Sequence, residues 1–293
     1  MDNNRRDFLK SLSVIASATA LPGFTGISLA SCKVDSRMKL GLVTYLWGKD
    51  MDLPTLIDTC EKSGISGVEL RSTHAHGVEP DISGEQRNEV KKRFEDSPVK
   101  LVSLGSAEEY NHPDPERLQK AIEDTKKFIL LSKDVGGSGV KVRPNRLYDD
   151  IPHEQTIEQI GTSLNEVGQF AADQGQEIFV EVHGSGTSAP PVMKAIFEVV
   201  DKPNVGICWN CNELDLEGQG FDYNFNLLKD RFGNTIHVRE LDDREYPYQK
   251  LISNLVKMNY KGWILLECRT EPEDKVKALI EQREVWEEMI QKS

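Results

Sequence analysis

Four stretches in the second half of the chain end apolar runs on residues able to bind a metal or move a proton. They read Ile178-Phe179-Val180-Glu181-Val182-His183, Val205-Gly206-Ile207-Cys208-Trp209-Asn210, Thr235-Ile236-His237-Val238-Arg239 and Trp263-Ile264-Leu265-Leu266-Glu267-Cys268-Arg269. Side chains two apart on a strand share a face, so Glu181 pairs with His183, His237 with Arg239 and Glu267 with Arg269. Carboxylates, imidazoles and an amide oxygen together suit Mn, Co, Zn or Mg better than a soft metal. The expectation is one divalent metal bound by Glu181, Asn210, His237 and Glu267, with Asn210 or His183 completing the shell. At any single position the bland alternative is a buried Glu paired with Arg, or a His satisfied by a backbone carbonyl. Recurrence at four corresponding ends favours a site. A hard cation polarises a carbonyl while a nearby base moves a proton. His183, Glu181, Glu267, Arg143 and Arg239 are therefore the candidate catalytic groups. His183 comes first as base or leaving-group acid, because it stands about 7 Å beyond Glu181 on the same strand face.

These residues need elements that aim them at one point. Eight β-rich runs alternate with longer helical patterns: 40–46, 67–71, 100–104, 140–143, 177–182, 205–209, 235–238 and 263–267. Their starts are roughly 27 to 40 residues apart, one strand-helix unit each. Asp114-Pro115 and Ser83-Gly84-Glu85-Gln86 read as helix starts. Ile157, Ile160, Leu164, Val167 and Ala171 recur at helical spacing, as Val276, Leu279, Ile280 and Trp286 roughly do. Gly64, Gly137, Gly175 and Gly233 are placed to end helices. The fold class expected is α/β, a single-domain (β/α)8 TIM barrel over 38–293, with the active site at the carboxyl ends of the strands. An open doubly wound sheet is disfavoured, since no Gly-x-Gly-x-x-Gly follows a strand. Weaker candidates at the same mouth are Glu69, Arg71, His74, His76, Glu108, Tyr110 and His112, with Tyr45, Trp47 and Trp209 as aromatic surfaces on which a substrate ring could stack.

From about Leu40 to Glu288 the chain resembles the xylose-isomerase-like barrels, the sugar phosphate isomerase/epimerase family. The resemblance rests on Val180-Glu181-Val182-His183, on Ile236-His237-Val238-Arg239-Glu240 against a His-x-Lys-Asp pattern, and on Tyr260-Lys261-Gly262 before Trp263-Ile264-Leu265-Leu266-Glu267. It implies one metal held by Glu, Asp, His and Glu from strands five to eight, and enolisation of a sugar. Asn210 departs from it, standing where aspartate is usual. An amide oxygen still binds a hard cation but brings no charge. A shifted register would put Glu240 in place of His237; His237 is preferred because Arg239-Glu240 then falls on Lys-Asp.

The first 32 residues read as export rather than fold. Asn4-Arg5-Arg6-Asp7-Phe8-Leu9-Lys10 resembles the twin-arginine motif, and Leu29-Ala30-Ser31-Cys32 resembles the lipobox of bacterial lipoproteins. The stretch between is too small-residue-rich for a membrane span. An exported lipoprotein anchored through lipidated Cys32, in the periplasm or at the cell surface, is the expectation. The formal charge of −12 over 293 residues and the lack of a basic stripe argue against nucleic acid as a partner. The remaining cysteines, Cys60, Cys208, Cys211 and Cys268, form no disulfide framework by spacing. Export argues for a non-phosphorylated substrate, a small sugar or keto-glycoside. Isomerase or epimerase chemistry, a lyase acting on 3-keto-glycosides through the same first step, and a sugar-binding lipoprotein without chemistry all stay open, as does the oligomeric state.

Overall fold

The computed structural model describes residues 37–293; the arginine pair and Cys32 lie outside the described residues. Eight strands, β1 (Lys39–Val43), β2 (Gly67–Arg71), β3 (Lys100–Glu109), β4 (Gly139–Arg143), β5 (Glu177–Glu181), β6 (Val205–Trp209), β7 (Phe232–Val238) and β8 (Trp263–Leu266), close into a barrel of order β1-β8-β7-β6-β5-β4-β3-β2. Every neighbouring pair is parallel, which requires a crossover after each strand. The crossovers are helices: α1 (Leu53–Ser63), α2 (Gly84–Glu95), α3 (Pro115–Val135), α4 (His153–Asp173), α5 (Pro190–Val199), α6 (Phe221–Leu228), α7 (Tyr248–Lys257) and α8 (Lys275–Gln291).

Local signals explain where these helices begin. The Asp52 side chain accepts from the Thr55 amide at 2.9 Å, Asp114 accepts from Glu116 N at 2.9 Å, and Ser83 and Gln86 form a reciprocal capping box. On α4 the expected stripe is real: Ile160, Leu164, Val167 and Ala171 are wholly buried against the barrel. The opposite set of strand residues fills the barrel itself, where Val43, Val102 and Leu265 pack together with Tyr45 and Trp263 against them.

Several boundaries differ from the sequence reading. β1 stops at Val43, so Tyr45 and Trp47 belong to the following loop. β3 runs on to Glu109, because its register slips against β4 between Gly105 and Glu109. Gly233 ends no helix; it lies inside β7, whose early start at Phe232 lets Gly233 pack against Gly206 of β6. The left-handed cap of α3 is Gly136 rather than Gly137, with φ 88°. β5, β6 and β8 stop at Glu181, Trp209 and Leu266, leaving Asn210 and Glu267 one residue beyond the last sheet pairing. A two-residue parallel pair, Asn145–Arg146 with Gly184–Ser185, continues past β4 and β5.

Candidate metal centre

Three buried side chains from β5, β7 and the end of β8 meet at one point. One ligand atom each from Glu181, His237 and Glu267 lie within 4.8 Å of one another. His237 Nδ1 stands 3.9 Å from Glu181 Oε1 and 3.9 Å from Glu267 Oε2. Those gaps are too long for hydrogen bonds, and Nδ1 has no hydrogen-bond partner although it is buried. A cation about 2.1 Å from each atom spans such gaps. The donor set is one imidazole and two carboxylates, as a hard or borderline divalent ion requires. The residues present therefore fit a divalent metal.

The opposite edge of the imidazole is anchored. His237 Nε2 lies 3.4 Å from the Glu69 carboxylate, and Ser103 Oγ donates to Glu69 Oε2 at 2.8 Å. A carboxylate on the far nitrogen fixes the tautomer, leaving Nδ1 to face the centre. Glu69, a weaker candidate in the sequence, is thus a buried support for the ring. Glu240, the rival for the His237 position, is elsewhere: it accepts from Arg269 N at 3.0 Å, Thr270 N at 2.8 Å and Thr270 Oγ1 at 2.6 Å.

Glu181 is held on both oxygens. Lys141 Nζ donates to Oε2 at 2.6 Å and Asn210 Nδ2 donates to Oε1 at 2.8 Å. Asn210 therefore reaches the centre, but as a donor to a neighbouring carboxylate. Lys141 had no place in the sequence reading. Its signal was Val140-Lys141-Val142-Arg143, where alternation puts a lysine on the barrel-facing side of β4. Burial would raise the Glu181 pKa, yet the Lys141 and His237 charges hold it well below the usual range. Glu267 moves the other way. Burial and repulsion from Glu181 raise it, despite His237, Lys141 and the Arg71 guanidinium 3.7 Å from Oε1. Burial disfavours charge on His237, but Cys208 and the carboxylates around the ring raise its pKa well above the usual value.

His183 stands outside the three-residue group, because β5 ends at Glu181 and the chain then turns into the short strand pair. Its Nδ1 lies 3.1 Å from Asn145 Oδ1. An amide oxygen only accepts, so Nδ1 carries the proton and Nε2 keeps its lone pair. Burial, first, lowers the His183 pKa, and the ring is neutral at neutral pH. Asn145 holds this position at φ 75°, opposite Gly184 at φ 99°. A Cβ on Gly184 would stand 1.6 Å from the Asn145 carbonyl oxygen, so only glycine permits the contact.

Several of the other candidates make structural contacts. Arg143 Nη2 donates to Glu109 Oε1 at 2.9 Å and to Ala107 O at 3.2 Å. The Arg239 guanidinium lies near enough to Cys211, Asp215 and Tyr248 for its charge to act on them, and its buried Nε has no hydrogen-bond partner. His76 is a loop brace: Nε2 donates to Arg71 O at 2.7 Å, Nδ1 accepts from Val78 N at 3.0 Å, and burial pushes its pKa down to about 4. His74 Nδ1 lies 3.2 Å from Thr44 Oγ1, and Tyr110 is wholly buried against Thr125. The His112 carbonyl is tied to Gln159 on α4, and burial raises Glu108 to about 7 away from the cluster. Trp209 is no sugar platform: it packs among Phe221, Phe225 and Phe232 and donates to Tyr246 Oη at 2.9 Å. Trp47 is buried and donates to Thr270 O, while Tyr45 lies under the Arg71 guanidinium at 4.9 Å.

Eight parallel strands wrapped by helices, with polar groups gathered beyond their carboxyl ends, define the TIM-barrel class. Within that class the chain belongs to the xylose isomerase-like TIM barrel family, which residues 57–290 match. A 3-keto-D-glucoside 4-epimerase from E. coli, YcjR, superposes with TM-score 0.68 at 16% identity, covering 85% of this chain and 98% of that one. The IOLI protein, solved with a bound zinc atom, gives TM-score 0.73 at 17% identity over 87% and 99%. A D-allulose 3-epimerase from Methylomonas sp. gives 0.72 at 17% identity over 87% and 98%. At such identities the likeness establishes the fold. No curated protein matches the sequence significantly.

Proposed function

We propose that the chain is a metal-dependent isomerase or epimerase that enolises a non-phosphorylated keto sugar. The observation that carries this reading is the buried, unpartnered His237 Nδ1 aimed between Glu181 and Glu267. Glu181, His237 and Glu267 would hold the cation, with Asn210 beside them. When bound, a divalent cation there supplies Lewis-acid polarisation of a substrate carbonyl. The remaining steps belong to side chains. Lys141 and Asn210 fix the Glu181 carboxylate, and Glu69 fixes the imidazole. His183 Nε2 accepts the proton from the carbon beside the carbonyl, and Asn145 keeps that nitrogen free. A base so placed contributes a factor of roughly 10² to 10⁴. Protonation of the other face of that carbon gives epimerisation; protonation of the former carbonyl carbon, with the proton of the adjoining hydroxyl passing to the former carbonyl oxygen, gives isomerisation. Glu267, whose pKa is raised, is the second candidate for the base.

The structural neighbours support this class, and one of them acts on a 3-keto-glucoside, so keto-glycosides join free ketoses as substrates to test. With the arginine pair and lipobox-like Cys32 we further propose export and lipid anchoring, which places the enzyme where free sugars and glycosides are met. The test incubates free ketoses and 3-keto-glycosides with the protein and Mn²⁺ in heavy water, following deuterium uptake by NMR. Uptake is expected beside the carbonyl, abolished by chelator and strongly reduced in His183→Ala. Release of the aglycone along with exchange would assign the lyase outcome. Metal-loaded protein that binds these sugars yet exchanges no carbon-bound proton would make the chain a sugar-binding lipoprotein instead.

A further inference from the structure

The least expected group in the barrel is a lysine. Lys141 faces inward from the middle of β4, 1% exposed, with its ammonium 2.6 Å from Glu181 Oε2. Its charge acts on Glu69, Glu181, Glu267 and His183. A buried ammonium is costly unless paired, so its presence beside a metal ligand needs a reason. Two consequences follow from the geometry. The Lys141 bond holds Oε2 of Glu181, while Oε1, which accepts from Asn210 Nδ2 at 2.8 Å, stands 3.9 Å from His237 Nδ1. A fixed positive charge on that carboxylate also repels any second cation the carboxylate receives. Without Lys141, the buried Glu181 carboxylate would face Glu267 with only His237 and the Asn210 amide beside it, the Arg71 guanidinium standing 3.7 Å from Glu267 Oε1.

Resting on the metal reading above, we propose that Lys141 is a built-in counter-ion, which keeps the ligand cluster assembled without metal and sets its affinity for a divalent cation low. The site is then ready-made for an exchangeable ion. Asn210 acts in the same direction, because it places an amide where a carboxylate would add charge. Lys141 needs no contact with substrate for this role; it is a positioning residue.

The experiment measures Mn²⁺ binding by calorimetry, and thermal unfolding with and without Mn²⁺, for the wild type, Lys141→Gln and Lys141→Met. Lys141→Gln keeps a donor within the cluster while removing the charge. Lys62→Gln, on the exposed face of α1, is the control and should behave as wild type. Loss of the ammonium should tighten Mn²⁺ binding by about tenfold or more, lower the metal-free melting temperature and enlarge the rise that Mn²⁺ produces. A variant that folds only when refolded with Mn²⁺ would also support the proposal. Folded variants with unchanged or weaker Mn²⁺ affinity overturn it, as do variants that Mn²⁺ fails to rescue. Wild type that binds no Mn²⁺, beside a Lys141 variant that does, would uphold the counter-ion and remove the metal reading for the native protein. Binding by neither would remove both.

Discussion

Asn210 sits between two roles, since its amide donates to Glu181 Oε1 at 2.8 Å while the family resemblance implies a ligand at its position. Asn210→Asp separates them. In the metal-free protein the new carboxylate faces Glu181 and should destabilise the fold. In the loaded protein it adds a charge beside the cation, tightening binding by about 1–3 kcal/mol. Competition against a chelator reads the affinity, and no change would place the side chain outside the coordination sphere. At this scale Glu181, His237 and Glu267 were legible because a polar residue closing an apolar strand is costly unless it has work to do. Lys141 was overlooked because it sits mid-strand, two residues before the strand end where metal ligands are expected, although the alternation of β4 puts it on the barrel-facing side. Arg143 pairs with Glu109 of the extended β3, a position that strand-end spacing does not connect to it.

The connection from β6 to α6 shows what the elements add. After Asn210 the chain passes through Cys211 at φ 45° and caps a short helical turn, Glu213–Leu216. Asp215, wholly buried, accepts from Tyr246 Oη at 2.8 Å and from Asn212 N at 2.8 Å. Burial raises its pKa to about 7, against those hydrogen bonds and the charge of Arg239. An acid whose folded pKa exceeds its unfolded value binds more protons folded than unfolded. Its ionisation therefore costs stability as pH rises from about 4 to about 7, and the cost is constant above that. Asp215→Asn removes the titration. Relative to its value near pH 4, the stability of the variant over the wild type should grow by on the order of 2–4 kcal/mol by pH 7 and then level off. Melting temperatures across that range check it; a constant difference would mean Asp215 keeps an ordinary pKa. The spacing of eight strands and the helix caps showed the barrel in the sequence. The extension of β3 and the placing of Gly233 did not show, because both depend on register against neighbours distant in the chain.

As a whole the molecule is an acidic barrel, with formal charge −12, whose positive charges inside the mouth are spent on its own carboxylates. The export proposed above rests on sequence ahead of the barrel. Cys32→Ala should abolish partitioning into a detergent phase and leave a soluble or signal-retaining form; partitioning that survives the substitution would refute the lipid anchor. A cation at the meeting point of β5, β7 and β8 is the central requirement, and elemental analysis of purified protein addresses it directly. Wild-type protein should carry about one divalent ion per chain, and a Glu181→Ala/Glu267→Ala double variant, checked for folding, should carry almost none. Equal metal content in the two proteins would contradict the account.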